Sequence, residues 1–178
     1  MESKKNILIS GLPGIGKTTL IKKLCQELKH KNPIGFYSEE IRNDRERKGF
    51  QLVGLNGQRT LFAHILMDSN YHIGKYKVDV DAFDKFLKSI DFMSRTGGIV
   101  IIDEIGKMEC LSGNFVKLIW EILDSDNTVV AAISHTDGGI KGRIKQRDDI
   151  VLYRMNLDNR EKIHSEILNR LNEEACLI

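Results

Sequence analysis

Gly11-Leu12-Pro13-Gly14-Ile15-Gly16-Lys17-Thr18 fits the pattern G-x-x-x-x-G-K-[ST] at every fixed position. The flanks fit as well. Asn6 to Ser10 is a short apolar run that reads as a strand, and Lys17 to His30 carries Leu20, Ile21, Leu24 and Leu28 at helical spacing. A glycine-rich turn between a buried strand and a helix commits the chain to an α/β arrangement. The glycines let backbone N–H groups close around phosphate oxygens with no Cβ in the way, and the helix beginning near Lys17 adds its positive dipole end. The Lys17 ammonium is expected to reach the β- and γ-phosphates, the Thr18 hydroxyl to coordinate Mg²⁺, and Thr19 to bond nearer the α-phosphate.

A magnesium ion in such a loop needs an acidic residue at the end of a neighbouring buried strand. Ile99-Val100-Ile101-Ile102-Asp103 supplies one, and Glu104 follows directly. Asp103 is expected to hold the ion through a water, because Mg²⁺ gives up its hydration shell reluctantly. Glu104 can orient and deprotonate an attacking water, so a carboxylate there favours hydrolysis over transfer to an organic acceptor. Lys17 and Glu104 are thus the expected catalytic residues, with Thr18 and Asp103 the expected metal ligands.

The rest of the chain follows an α/β rhythm. Ile34 to Ile41 reads as a strand after Asn32-Pro33 ends the first helix. Asn43-Asp44 is a turn signal, and Phe50 to Leu55, Asn56-Gly57 and Gln58 to Ala63 predict a hairpin with a type I′ turn. Asp81 to Arg95 is amphipathic and reads as a helix closed by Gly97-Gly98. Ser112 can cap a helix running to about Asp124, Thr128 to Ile133 reads as another buried strand, and Ile140 to Arg147 as a short basic helix. Ile150 to Met155 is a last strand, and Asp158 with Glu161 predicts a capping box before a C-terminal helix. Unbroken apolar strands alternating with helices predict a three-layer α/β sandwich with a mainly parallel sheet. The stretch from about 34 to 64 is antiparallel in character and reads as an extension within one domain spanning 1–178.

Composition narrows the remaining classes. In 178 residues, 41% apolar and 29% charged side chains with a net charge of +2 describe an ordinary globular chain, neither disordered nor strongly basic. Nucleic acid is therefore not indicated as a partner. No apolar run approaches a membrane span, and the N-terminal residues lack the length of a signal peptide. Cys25, Cys110 and Cys176 form no C-x-x-C pair, which suits a reducing, cytoplasmic setting. His30, His64, His72 and His164 show no metal-ligand spacing. The aromatics, Phe36, Phe50, Phe62, Phe83, Phe86 and Trp120, read by default as core.

Several cations could act as a finger on the transferring phosphoryl group. Arg42 sits in a mixed-charge cluster with Arg45, Arg47 and Lys48, and Arg143 and Arg147 in another with Lys141 and Lys145. Interleaved acids make a solvated face the default for both clusters. Lys107 can reach a phosphate or serve as a loop lysine, and His135, after the strand at Thr128, can face the γ-phosphate or lie on a surface turn.

Gly35-Phe36-Tyr37-Ser38-Glu39-Glu40-Ile41-Arg42, then Gly49-Phe50, then Asp103-Glu104-Ile105-Gly106-Lys107-Met108-Glu109 resemble the THEP-type nucleoside triphosphatases, and Asn159-Arg160 near the last helix does too. The likeness runs over nearly the whole chain. It implies a RecA-like P-loop domain and slow, Mg²⁺-dependent hydrolysis of several nucleoside triphosphates, ATP, GTP, CTP and UTP among them. It implies nucleotide contacts at Gly11 through Thr18 and around Asp103 to Gly106, and strengthens Arg42 and Lys107 as phosphate contacts. By the same likeness Asn159 and Arg160 border the base or anchor the helix. The chain departs from the family after Ile133, where Ser134-His135-Thr136-Asp137-Gly138-Gly139 replaces an apolar residue and proline. A small-molecule or nucleotide kinase and a nucleotide-gated binding module are the alternative functions.

Overall fold

The computed structural model describes residues 4–173. Its strands join one sheet of nine: β1 (Asn6–Gly11), β2 (Ile34–Asn43), β3 (Glu46–Gly54), β4 (Arg59–His64), β5 (Tyr71–Ile73), β6 (Tyr76–Val78), β7 (Ile99–Ile105), β8 (Thr128–Ser134) and β9 (Ile150–Arg154). The spatial order is β5-β6-β4-β3-β2-β7-β8-β1-β9. From β2 to β9 every pairing is parallel, and from β2 outward to β5 every pairing is antiparallel. β2 belongs to both halves: its first residues, Ile34 to Phe36, pair with Val100 to Ile102, and the rest continues into the hairpin with β3.

The helices are α1 (Lys17–Glu27), α2 (Val80–Lys88), α3 (Gly113–Asp124), α4 (Gly139–Lys145) and α5 (Arg160–Glu173). Side chains alternate across the sheet, so successive residues of one strand serve two cores. Ile7, Ile9, Ile101, Val130 and Ala132 pack with Leu20, Ile21 and Leu24 of α1 and Ile163, Ile167 and Leu171 of α5. Leu8, Val100, Ile102, Val129 and Ala131 pack on the other side with α2, α3 and Ile144 of α4. Phe83 anchors that second core. Its ring lies 6.0 Å from Phe36, 4.8 Å from Phe62 and 5.3 Å from Phe115, tying α2 and α3 to β2 and β4.

Several local expectations are corrected. The β3–β4 connection is not a type I′ turn, which needs positive φ at both central residues. Here Gly57 alone of the pair has positive φ, at 89°, and the Gly57 N–H donates to the Gly54 carbonyl at 2.9 Å while Gly54 N–H donates to Gln58 at 2.8 Å. β3 starts at Glu46 rather than Phe50, since Asp44 takes φ 52° and closes the chain tightly after Asn43. The first helix ends at Glu27 and passes through a 3₁₀ turn at Lys29–Lys31 to Asn32 at φ 48°. α2 stops at Lys88 and does not reach Arg95. The Ser89 hydroxyl bonds back to the Phe86 carbonyl at 2.6 Å, and Asp91 Oδ1 accepts the Met93 N–H at 3.3 Å, so polar side chains take the helix's backbone partners. At α5, Glu161 faces Lys23 at 3.3 Å, and Asn159 supplies the carbonyl that accepts from Ile163. The antiparallel extension also reaches past residue 64, to Val78, through the β5–β6 hairpin.

Among the described residues no helix is long and apolar enough to cross a membrane. Cys25 and Cys110 are free thiols, and burial pushes their pKa values up to about 12 and about 11, so neither is a thiolate near neutral pH. Cys176 lies outside the described residues.

Candidate nucleotide site

β1, β7 and β8 run parallel and end on the same edge of the sheet, so the loops that follow them meet there. The turn after β1 is shaped by Gly14 at φ 77° and Gly16 at φ 105°. Gly11 is needed for a different reason. A Cβ there would stand 2.9 Å from the Met155 carbonyl, at the end of β9. Ile15 packs its side chain on the α1–α5 core and donates its N–H to the Leu12 carbonyl at 3.2 Å, fixing the loop from below. Leu12 is exposed.

Lys17 begins α1 and is almost wholly buried. Its ammonium donates to the Gly11 carbonyl at 2.9 Å and to the Leu12 carbonyl at 3.4 Å, and lies 3.6 Å from Glu104 Oε2. The lysine thus bends back over its own loop and meets the end of β7.

Asp103 sits beneath this pair with no solvent exposure. Its Oδ2 accepts from the Ser38 hydroxyl at 2.9 Å and the Ser38 N–H at 3.3 Å, while Oδ1 is buried with no hydrogen-bond partner. Burial raises its pKa, the neighbouring Thr18 hydroxyl opposes that rise, and the Glu104 charge adds to it. An orphaned carboxylate oxygen beside a threonine hydroxyl is the donor set that a hard divalent cation takes. Thr18 and Asp103, the two expected ligands, are therefore brought together.

The β7–β8 ladder shifts register between Ile102 and Ile105, where the Asp103–Glu104 peptide is cis. The Glu104 side chain is one-third exposed and faces a cleft of about 740 Å³. Pro13, Gly14, Gly16, Thr18 and Thr19 form one wall of that cleft; Lys107, Met108 and Glu109 form another, and Ser134, His135 and Thr136 close its end. Gly106 lies just behind, where its lack of a side chain leaves room for two carboxyl groups. A Cβ there would stand 2.7 Å from both Glu104 Oε1 and Glu109 Oε2.

Four finger candidates separate cleanly. Arg42 and Lys107 line the cleft, although Arg42 is already held by Glu40 at 2.8 Å. Arg143 and Arg147 lie over the Trp120 ring, each at 5.6 Å, and Arg147 is tied to Asp124 and Asp149. The structure does not bring those two into the cleft. Asn159 is occupied by its own turn, bonding to the Asn156 N–H at 2.8 Å and the Arg154 carbonyl at 2.9 Å. Arg160 reaches to within 3.8 Å of a Cβ built on Gly16.

Two site residues, Ser38 and Glu109, carry no local signal of their role, and a third, Arg47, belongs to the Arg42 cluster of finger candidates. Ser38 was visible only as a serine on a strand, and its partner is sixty-five positions away. Arg47 donates to Glu40 at 2.7 Å and packs over Phe50 at 5.1 Å on the far wall of the cleft. Glu109 stands in the Asp103–Glu109 segment, but nothing local marks it as buried. Its carboxyl is nearly inaccessible, and burial, reinforced by the Glu104 charge, pushes its pKa up to about 8.

The family model described as NTPase matches residues 6–168. The chain is 41% identical to the nucleoside-triphosphatase THEP1 of Thermotoga sp. (strain RQ2) over 93% of its own length and 94% of that protein. Its fold is similar to the crystal structure of THEP1 from Aquifex aeolicus, with a TM-score of 0.84 and 34% identity over 93% of this chain and 98% of that one. It is also similar to the solution structure of a human cancer-related nucleoside triphosphatase, with a TM-score of 0.82 and 26% identity over 95% of this chain and 98% of the other. The chain belongs to this family of nucleoside triphosphatases, and its fold is an α/β fold with a mixed sheet of the same kind.

Proposed function

We propose that this protein is a Mg²⁺-dependent hydrolase of nucleoside triphosphates, releasing the diphosphate and phosphate from ATP, GTP, CTP and UTP slowly and with little regard for the base. The family supports hydrolysis of triphosphates, and the observation that carries the mechanism is the convergence of Lys17 and Glu104 at 3.6 Å on one edge of the cleft. The scaffold we infer is a single P-loop, RecA-like sandwich. The parallel order β2-β7-β8-β1-β9, with helices packed on both faces, supports that reading.

In this reading the backbone N–H groups from Gly11 to Thr18 hold the phosphates, and the α1 dipole adds to them. The Lys17 ammonium faces the charge that spreads over the γ-phosphoryl oxygens. Thr18 and Asp103 would hold Mg²⁺, which when bound neutralises charge on the β- and γ-phosphate oxygens. Glu104 accepts a hydrogen bond from the attacking water, aims it in line with the leaving oxygen and takes its proton. Preset charge and position supply most of the rate, because the transition state is loose. Base breadth is consistent with Asn159, whose amide is spent on its own turn.

The test is free-phosphate release with each of the four triphosphates, with Mg²⁺ and with excess chelator. Comparable release from all four, abolished by chelator, supports the proposal. Release that persists in chelator contradicts the metal dependence, and release from one triphosphate alone contradicts the breadth.

One observation favours a second reading, transfer to an organic hydroxyl. The cleft continues past Glu104 to Arg42, Arg47, Phe50 and Ile73, which is more room than a water needs. An added acceptor that becomes phosphorylated while consumption of the triphosphate rises would establish that reading.

A further inference from the structure

Three carboxyl groups, Asp103, Glu104 and Glu109, meet within one loop length of each other, and Lys17 pairs with Glu104 among them. Asp103 is engaged by Ser38 and Glu104 by Lys17. Glu109 is the deepest member that still reaches the cleft. It sits in a tight 3₁₀ turn at Glu109–Leu111, closed by Cys110 N–H on the Gly106 carbonyl at 3.2 Å and by Ser112 N–H on the Glu109 carbonyl at 3.1 Å. That turn folds Glu109 back under the residues that follow Glu104.

Gly106 is the point where the two side chains converge. It does not have the positive φ that favours glycine, so room rather than backbone freedom requires a glycine there. Glu104 Oε1 and Glu109 Oε2 each lie 2.7 Å from where its Cβ would be. The two carboxyl groups therefore crowd the same glycine, and the placement of one limits the placement of the other.

We propose that Glu109 is a positioning residue for Glu104: its carboxyl, packed beside Glu104 at Gly106, holds the Glu104 side chain turned toward Lys17 and the cleft. Glu109 then acts on the reaction only through Glu104. The proposal rests on the reading of Glu104 as the group that orients water. Nothing in it requires Glu109 to touch the nucleotide, so substrate affinity is independent of it.

The experiment is a double-mutant cycle on the full chain with ATP and Mg²⁺, measuring kcat and KM for wild type, Glu109→Ala, Glu104→Gln and the double variant. Glu109→Ala should lower kcat by about ten- to a hundredfold, the scale of a misplaced catalytic group, with KM unchanged. Glu109→Gln, neutral and of the same shape, should keep kcat close to wild type. In the Glu104→Gln background, Glu109→Ala should cost nothing more. Should Glu109→Ala fail to fold, Gly106→Ala places a methyl group between the two carboxyls and should show the same fall in kcat, absent in the Glu104→Gln background. Wild-type kcat in Glu109→Ala, equal damage from Ala and Gln, or the same loss in both backgrounds would overturn the proposal. Near-normal turnover in Glu104→Gln would instead overturn the reading of Glu104 itself.

Discussion

Lys17 Nζ and Glu104 Oε2 stand 3.6 Å apart, one delivered by the first turn of α1 and the other by the end of β7. Neither strand nor helix alone makes this pair. It depends on β8 lying between β7 and β1, so that both ends emerge on the same edge of the sheet. In the proposed mechanism this places the cation against charge building on a phosphoryl group and the carboxylate against the nucleophile.

Removing the cation should harm binding and chemistry together. Lys17→Ala is expected to weaken triphosphate affinity and to lower kcat by about 10²- to 10³-fold, as loss of a preset donor to developing charge does. Nucleotide titration and steady-state kinetics check this. Unchanged affinity and rate would remove the phosphate-loop assignment.

Gly35 should be intolerant of any side chain. Its φ is 130°, and a Cβ would fall 1.9 Å from the Ile101 carbonyl, inside the ladder that joins β2 to β7. Gly35→Ala must push the strands apart, costing more than about 2 kcal/mol by the scale of overpacked cores. Urea denaturation measures it, and a wild-type midpoint would contradict the register.

A helix cap gives a smaller effect. Ser112 Oγ accepts the Phe115 N–H at 2.9 Å at the start of α3 and also bonds to Asp84 of α2. Ser112→Ala should cost about 1 to 2 kcal/mol, the upper range for a lost cap, because the same hydroxyl links two helices. In an Asp84→Ala background Ser112→Ala should cost less, because the link between the helices is already gone.

Glu109 links stability to pH. Its pKa is about 8 in the folded protein against an ordinary 4.5, through burial first and the Glu104 charge second. Below the ordinary value the group is neutral in both states and costs nothing. As pH rises from there toward about 8 the unfolded chain ionises and the folded chain does not, so stability is lost across that window. Glu109→Gln removes the effect. Its stability relative to wild type, measured by denaturation without nucleotide, should therefore grow between about pH 5 and pH 8. A difference independent of pH would show that the carboxyl is not held neutral.

Much of this was legible in the chain. The glycine turn between β1 and α1, the strands at Ile99 and Thr128 and the Ser112 cap each rest on local chemistry, and each is where periodicity and spacing put it. The end of α2 was not, because the apolar spacing continues to Ile90 while Ser89 and Asp91 divert the backbone. The β5–β6 hairpin does have a local signal, Gly74-Lys75 between two alternating triplets, with Gly74 at φ 59°. Ser38 and Glu109 were beyond reach for another reason. Their importance comes from what lies across the sheet or under a turn, and residue type alone does not report burial.

The central claim is that Glu104 orients the attacking water without holding the nucleotide. Single-turnover phosphate release by Glu104→Gln, with nucleotide affinity measured on the same protein, tests it most directly. The account predicts affinity close to wild type and phosphate release slowed by about 10²-fold or more, the scale of a lost general base. Release at the wild-type rate from a correctly bound triphosphate would contradict it.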